Sequence, residues 1–252
     1  MSMNSGFEVR SFKEIDSTNT YLIEEAKQGA CDGLVATAAF QTAGRGRQGR
    51  TWEAPEGSAL LVSALLRPVM SPDEAHLVAT AVALSARAAI EQLSGLRASL
   101  KWPNDLVVEA AKIAGILGEI APDAPGGSDG SIAVVVGIGI NLSTEGPPEA
   151  KGTSVLAQTG SAPSPDELLD LFLAELSARR SMLDEPEGRA GLLVEARSLM
   201  STLGSQVRVT RHNSILEGKA LELTDGARLI VVDDAGERHV ISVGDLIHLR
   251  PR

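Results

Sequence analysis

Seven consecutive residues, Gly44-Arg45-Gly46-Arg47-Gln48-Gly49-Arg50, hold the densest chemistry in this chain. Three arginines alternate with three glycines, and no acid interrupts them. Each guanidinium is a fixed cationic fork that matches phosphate or carboxylate oxygens. Glycine lets the backbone turn tightly and turn its N–H groups toward a ligand. The segment is either a solvated or RNA-contacting loop, or a cradle for a small, multiply charged anion such as a nucleoside triphosphate. Ordering it costs about 7–14 kcal/mol of backbone entropy, whereas one charge-assisted hydrogen bond returns only about 1.5–3 kcal/mol. It is therefore expected to be mobile when empty and to close over a ligand that many groups grip together.

Four further segments carry polar groups at suggestive spacing. In Lys101-Trp102-Pro103-Asn104-Asp105 the proline favours extended geometry before it and a turn after it. Asn104 and Asp105 then stand at a turn, and Asp105 could hold Mg²⁺ bridged to triphosphate oxygens. Lys101 could neutralise phosphate charge, although an ordinary Asn-Asp turn would look the same. Lys112 opens the strand Lys112-Ile113-Ala114-Gly115-Ile116-Leu117-Gly118-Glu119, either as a surface lysine or facing an α-phosphate. Its glycines allow another backbone or a flat ligand to approach. Gly137-Ile138-Gly139-Ile140-Asn141 ends an apolar strand with an amide that could read a purine edge or a ribose. It has neither the helix nor the spacing of a dinucleotide fingerprint, so no nicotinamide cofactor is expected. Ser17-Thr18-Asn19 either caps a helix or offers hydroxyls and an amide to a polar heterocycle. Trp52 could be core or could stack on a base.

The composition limits the partners. The chain has 252 residues, 43% of them hydrophobic, enough for a core without metal or disulfide. A net charge of −10 argues against general binding to nucleic acid or membrane surfaces, so an anion must be drawn by a local cationic site. One cysteine, Cys31, fits a reducing cytoplasm. His76, His212, His239 and His248 are scattered without ligand spacing, so no zinc is expected. The first residues have neither the basic nor the apolar stretch of a secretory signal.

The elements that must position these groups follow from periodicity and caps. Strands are expected at Phe7 to Ile15, Leu34 to Gln41, Ser58 to Arg67, Ala98 to Val108, Lys112 to Ile120 and Ile132 to Leu142. A helix capped at Asp16 to Asn19 runs to Gly29. Capping boxes with proline at the first helical position, Ser71 to Glu74 and Ser164 to Glu167, open helices to Gly95 and about Met182. Another helix runs from about Gly188 to Leu203. After Gly204 the character changes to five short strands, Val207 to Thr210, Ser214 to Leu223, Arg228 to Val232, His239 to Val243 and Leu246 to Leu249. Turn signals at His212-Asn213, Asp225-Gly226 and Ala235-Gly236 separate them. The expected class is α+β: a mixed sheet with packed helices over 1–203, then a small β-barrel over 204–252.

In this order, Asp16 to Asn19, Gln41 through Arg47, Lys101 through Leu106, Lys112 through Leu117 and Gly137 through Asn141 resemble the catalytic domain of biotin protein ligases. The resemblance implies a class II synthetase-like, biotin–lipoate ligase fold followed by an SH3-like domain. It implies ATP and Mg²⁺, and a two-step reaction: biotin and ATP give biotinyl-5′-AMP, and a lysine of a biotin carboxyl carrier protein, such as that of acetyl-CoA carboxylase, then takes the biotin. By the same resemblance Ser17, Thr18, Asn19, Gln41, Gly44, Arg45, Gly46, Arg47, Lys112, Gly115 and Leu117 line the biotin side. Arg47, Trp52, Lys101, Asn104, Asp105, Lys112 and Asn141 line the adenylate side. Arg45, Arg47, Lys101, Asp105 and Lys112 carry the chemistry, with Asp105 as the Mg²⁺ ligand. The pattern begins by Phe7, which implies a ligase without the operator-binding domain of some members, acting as a monomer or homodimer and binding no DNA. A lipoate–protein ligase or octanoyltransferase shares the fold but not the Gly-Arg-Gly-Arg loop. An RNA-binding module is disfavoured by the acidic charge and the 3% aromatic content.

Overall fold

The computed structural model describes residues 6–127, 129–146, 151–211, 214–242 and 244–249. Seven strands, β1 (Glu8–Ile15), β2 (Leu34–Gln41), β3 (Ala59–Leu66), β4 (Ser99–Lys101), β5 (Asp105–Val108), β6 (Ala111–Ile120) and β7 (Val134–Asn141), form one mixed sheet in the order β1-β2-β3-β7-β6-β5-β4. Only β1 and β2 run parallel.

Strand alternation assigns the two faces. On one face Val62, Ala64 and Leu66 of β3 and Val134, Val136, Ile138 and Ile140 of β7 join the largest core cluster. That cluster is closed by α2 (His76–Ser94), α4 (Pro165–Arg180) and α5 (Pro186–Ser198). On the other face Leu34, Ala36, Leu65 and Val135 pack against Leu22 and Ala26 of α1 (Thr18–Lys27). Helix α1 is short, so this face is covered only at one end. Further along the same face β7 carries Gly137, Gly139 and Asn141 and β6 carries Glu119, Leu117 and Gly115, in register Leu117↔Gly137 and Gly115↔Gly139.

The expected boundaries need four changes. Ala98 to Val108 is not one strand: the chain reverses at Trp102-Pro103-Asn104 and pairs Lys101 with Asp105. The capping box at Ser71 forms on a single 3₁₀ turn, Pro72–Glu74, and α2 begins after it at His76. The last helix ends at Ser198 rather than Leu203, because the following residues bond to β4 (Leu100 N to Leu199 O, 2.9 Å; Ser201 N to Leu100 O, 2.8 Å). A one-turn helix, α3 (Val155–Thr159), has no counterpart in the sequence reading; Ser154 caps it.

After Gly204 five strands, β8 (Gln206–Arg211), β9 (Ser214–Leu223), β10 (Leu229–Val232), β11 (Arg238–Ile241) and β12 (Asp245–His248), form an antiparallel sheet in the order β11-β10-β9-β8-β12. The turn expected at His212-Asn213 lies outside the described residues, as does Val243. The core of this sheet contains Trp102, from the β4–β5 turn. The Trp102 indole N–H donates to Ala227 O (3.0 Å) and its backbone N–H to Thr202 Oγ1 (3.0 Å). The two sheets therefore meet at the turn that carries Lys101, Asn104 and Asp105. Among the described residues no helix is long and apolar enough to cross a membrane.

Candidate active site

The uncovered part of the α1 face begins with a buried polar chain. Ser17 caps α1, accepting from Thr20 N, and so turns Thr18 and Asn19 inward. Gln41 Oε1 accepts from Thr18 N (2.8 Å) and Thr18 Oγ1 (3.1 Å). Thr18 Oγ1 is 2.7 Å from Ser63 Oγ, and Ser63 donates to Asn19 Oδ1 (2.6 Å). Asn19 Nδ2 donates to Leu117 O (3.2 Å) and Glu119 Oε2 (3.0 Å). Buried polar groups must be satisfied, and here they satisfy one another across three strands. Gly137 is what makes room: a Cβ there would lie 2.0 Å from Asn19 Oδ1.

Next along the face lies a flat shelf. The Trp52 indole rests on Gly115 and Gly139; a Cβ at 139 would come within 2.3 Å of the ring and one at 115 within 2.9 Å. Trp52 Nε1 is buried and has no hydrogen-bond partner among the described residues. Lys112 Nζ lies 5.5 Å from the ring centroid, a cation–π contact. The Glu109-Ala110 turn that delivers Lys112 closes with Glu109 in the left-handed region at φ 55°.

A cavity of about 880 Å³ opens over the shelf, lined by Arg47, Lys101, Asn104, Asp105, Lys112 and Asn141 among others. Arg47 Nη1 reaches across it to Asn104 Oδ1 (3.3 Å), while Asn104 Nδ2 donates to Ile116 O (2.7 Å). Lys112 Nζ is 2.6 Å from Asp105 Oδ1. That oxygen is buried, with the Lys112 charge beside it. Burial pushes the Lys101 ammonium below the ordinary lysine range; Asp105 opposes the shift, and Lys112 and Lys151 add to it. His248 of β12 is likewise held down, first by burial and then by Lys101, and it lies 3.3 Å from Thr202 Oγ1. The arrangement presents cations around a concave, glycine-floored space, suited to stabilising charge on phosphoryl and carboxyl oxygens.

The structure thus brings the expected residues together in two adjoining sets. Gly46, Arg47, Trp52, Lys101, Asn104, Asp105, Lys112, Gly115, Leu117 and Asn141 line the cavity. Ser17, Thr18, Asn19 and Gln41 form the buried chain, and Gly44 packs against the Trp52 backbone. Two placements need a closer description. The Arg45 guanidinium does not line this cavity; it pairs with Glu119, which also accepts from Asn19 of the buried chain. Asn141 lines the cavity and also donates one amide N–H to Thr153 O (3.0 Å), tying down the segment before α3. Two residues were missed. Ser63 is the lone polar residue of an otherwise apolar strand, which is the signal that could have found it. Glu119 follows Gly115 and Leu117 at strand period, which is the signal for that one.

Comparison with known proteins finds relatives in both sequence and fold. A family profile described as the biotin/lipoate A/B protein ligase family matches residues 11–141. The chain is 36% identical over 242 residues to the biotin–[acetyl-CoA-carboxylase] ligase of Mycobacterium tuberculosis, covering 93% of this chain and 86% of that one. It is 32% identical to the enzyme of the same name from Paracoccus denitrificans, covering 92% and 96%. In three dimensions it is similar to the biotin protein ligase of Aquifex aeolicus in complex with biotin and ATP, with a TM-score of 0.80 at 28% identity, covering 96% and 99%.

Proposed function

This chain belongs to the biotin/lipoate A/B protein ligase family, and we propose that within it the chain acts as an ATP-dependent biotin–protein ligase. In the first step a biotin carboxylate oxygen attacks the α-phosphorus of ATP. The P–O bond to the β-phosphate breaks, giving biotinyl-5′-AMP and pyrophosphate. In the second step the amine of an acceptor lysine attacks the acyl carbon, AMP leaves with the bonding electrons, and an amide remains. The acceptor is a biotin carboxyl carrier domain.

The observation that carries this reading is the pairing of a neutral, buried hydrogen-bonding chain with a cationic cavity on one sheet face. The first suits an uncharged polar ring such as the biotin ureido group. The second suits a triphosphate. Lys112 and Arg47 stabilise charge that builds on the carboxyl and α-phosphoryl oxygens, and Lys101 draws the triphosphate. Trp52, between the sets, stacks on the nucleobase. The closed 44–50 segment keeps water from the mixed anhydride. The donor set fits Mg²⁺ carried in on the triphosphate: Asp105, on the cavity wall, would supply one carboxylate, whose Oδ1 is now paired with Lys112 Nζ. When bound, that ion neutralises phosphate charge. We divide the chain at Gly204 into a catalytic part, 1–203, and a smaller β part, 204–252, that braces the Trp102 turn. We also place the reaction in the cytoplasm.

The test is exchange of labelled pyrophosphate into ATP, with biotin and with lipoate as the control acid. Exchange with biotin alone is expected, and Lys112→Ala should lose at least about a hundredfold of it with an unchanged melting curve. Exchange with lipoate and not biotin would move the chain to the other branch of the family. Near-normal exchange in the variant would remove Lys112 from the mechanism.

A further inference from the structure

We infer that Glu119 is a positioning residue that couples the arginine segment to the buried chain beneath it, so that the two close as one unit. Glu119 stands on the site face of β6, two residues beyond Leu117, and its side chain is 24% exposed. Both carboxylate oxygens are engaged. Arg45 Nη2 donates to Oε1 (2.8 Å) and Arg45 Nη1 to Oε2 (3.0 Å), the parallel two-bond geometry in which a guanidinium holds a carboxylate most firmly. Oε2 also accepts from Asn19 Nδ2 (3.0 Å). Asn19 continues through Ser63 to Thr18 and Gln41. One unbroken line of contacts therefore runs from the segment to the first turn of α1.

The segment needs such a strap. Its own backbone supplies one short bridge, Arg45↔Thr51, with Gly46 N donating to Arg50 O (2.7 Å) and Trp52 N to Gly44 O (2.9 Å). Arg47 reaches Asn104 at the longer distance of 3.3 Å. The Arg45 side chain is 43% exposed, so its pair with Glu119 is worth less than a buried one. It is nevertheless a link that ends on residues locked in the sheet. Coupling is reciprocal. Whatever a ligand gains by ordering Thr18, Asn19 and Gln41 is returned as tighter closure of the segment, and closure returns the same factor as ligand affinity. Glu119 touches neither reacting group in this account; it acts through Arg45 and Asn19.

The inference rests on the ligase reading only for its ligand arm, and the test separates the two. Arg45, Arg47 and Arg50 make the segment a target for trypsin, so its opening can be read on the ligand-free protein by mass spectrometry. Glu119→Gln keeps the size and one carbonyl acceptor for Asn19 but loses the charged fork. It should speed cleavage within 44–50 by about five- to tenfold, the range expected for a half-exposed charge-assisted pair, and leave the melting curve in place. Arg45→Gln, which removes the same pair from the exposed side, should speed cleavage at Arg47 and Arg50 equally, and the double variant should be no faster than either. This arm still decides the matter should the Glu119 variant fold poorly. In pyrophosphate exchange, Glu119→Gln should raise KM for biotin by a similar factor with kcat within about twofold; a merely structural lesion would lower kcat by reducing the active fraction. Unchanged cleavage in both single variants, or additive acceleration in the double, overturns the inference. If the unmutated protein shows no biotin-dependent exchange, the ligase reading falls while the cleavage result stands on its own.

Discussion

The glycine floor and the arginine segment face each other across one cavity, and they are built by opposite means. The floor is three antiparallel strands in continuous register, with side chains removed at positions 115, 137 and 139 so that Trp52 and Asn19 can seat. Its polar groups are buried and mutually satisfied. The segment above has three exposed arginine or glutamine side chains, one 3₁₀ turn with Gln48 at φ 58°, and little apolar contact of its own. The floor therefore stores its order in the fold, whereas the segment draws its order from a few charged contacts and from whatever fills the cavity. The difference divides labour: recognition of a neutral ring needs fixed donors and acceptors, and capture of a reactive anhydride needs a part that opens.

The comparison is broken most sharply at Gly139. Alanine there would place a methyl 2.3 Å from the Trp52 ring, and position 139 is paired on both sides, to Leu61 and Gly115. Gly139→Ala is expected to cost about 1–3 kcal/mol of stability, as overpacking does, visible as a lower urea midpoint. Pyrophosphate exchange should fall at least about a hundredfold, since a 1 Å misplacement suffices for that. A variant with unchanged midpoint and rate would mean that the indole does not sit on this shelf.

Arg47→Ala probes the other side. Its contact to Asn104 is long, and the segment contributes little to the core. Stability should stay within about 0.5 kcal/mol, while exchange falls by roughly ten- to a hundredfold for the loss of one or two charge-assisted bonds to phosphate. A large loss of stability with little loss of rate would reverse the assignment of order to floor and of chemistry to segment.

How far these regions were legible depends on the range of the interactions that make them. Strands β2, β3, β7 and β9 and the caps at Ser17, Ser71 and Ser164 follow from local pattern, and the structure has them at nearly the expected residues. The Gly/Arg segment and the Lys101 to Asp105 turn stood out by composition, and both line the cavity. The partnership of Asn19 with Glu119 spans a hundred residues and that of Thr18 with Ser63 forty-five; no local period marks such pairs. Trp102 sits on the turn between β4 and β5, but the core it enters belongs to strands about a hundred residues downstream. For the same reason the Arg45–Glu119 pair was not legible: a guanidinium declares its charge in the sequence, but not which carboxylate the fold will bring to it.

Lys101 lines the same cavity from the end of β4, and it gives the smallest and most specific effect. Burial disfavours its charged form, Asp105 only partly offsets this, and Lys112 and Lys151 reinforce it, so the free protein loses this proton below the ordinary 10.5. Between that lowered value and 10.5 the unfolded chain binds more protons than the folded one, so stability rises with pH through the window. Activity should move the other way. Since kcat/KM for ATP reports the free enzyme, it should decline on the alkaline side at a pH below that of an exposed lysine, as the charge that draws triphosphate is lost. Lys101→Arg keeps a cation that does not titrate in this range. Near neutral pH it should change kcat/KM by no more than about threefold, less than one hydrogen bond's worth, and the alkaline decline should flatten. An unaltered alkaline limb would assign the decline to another group.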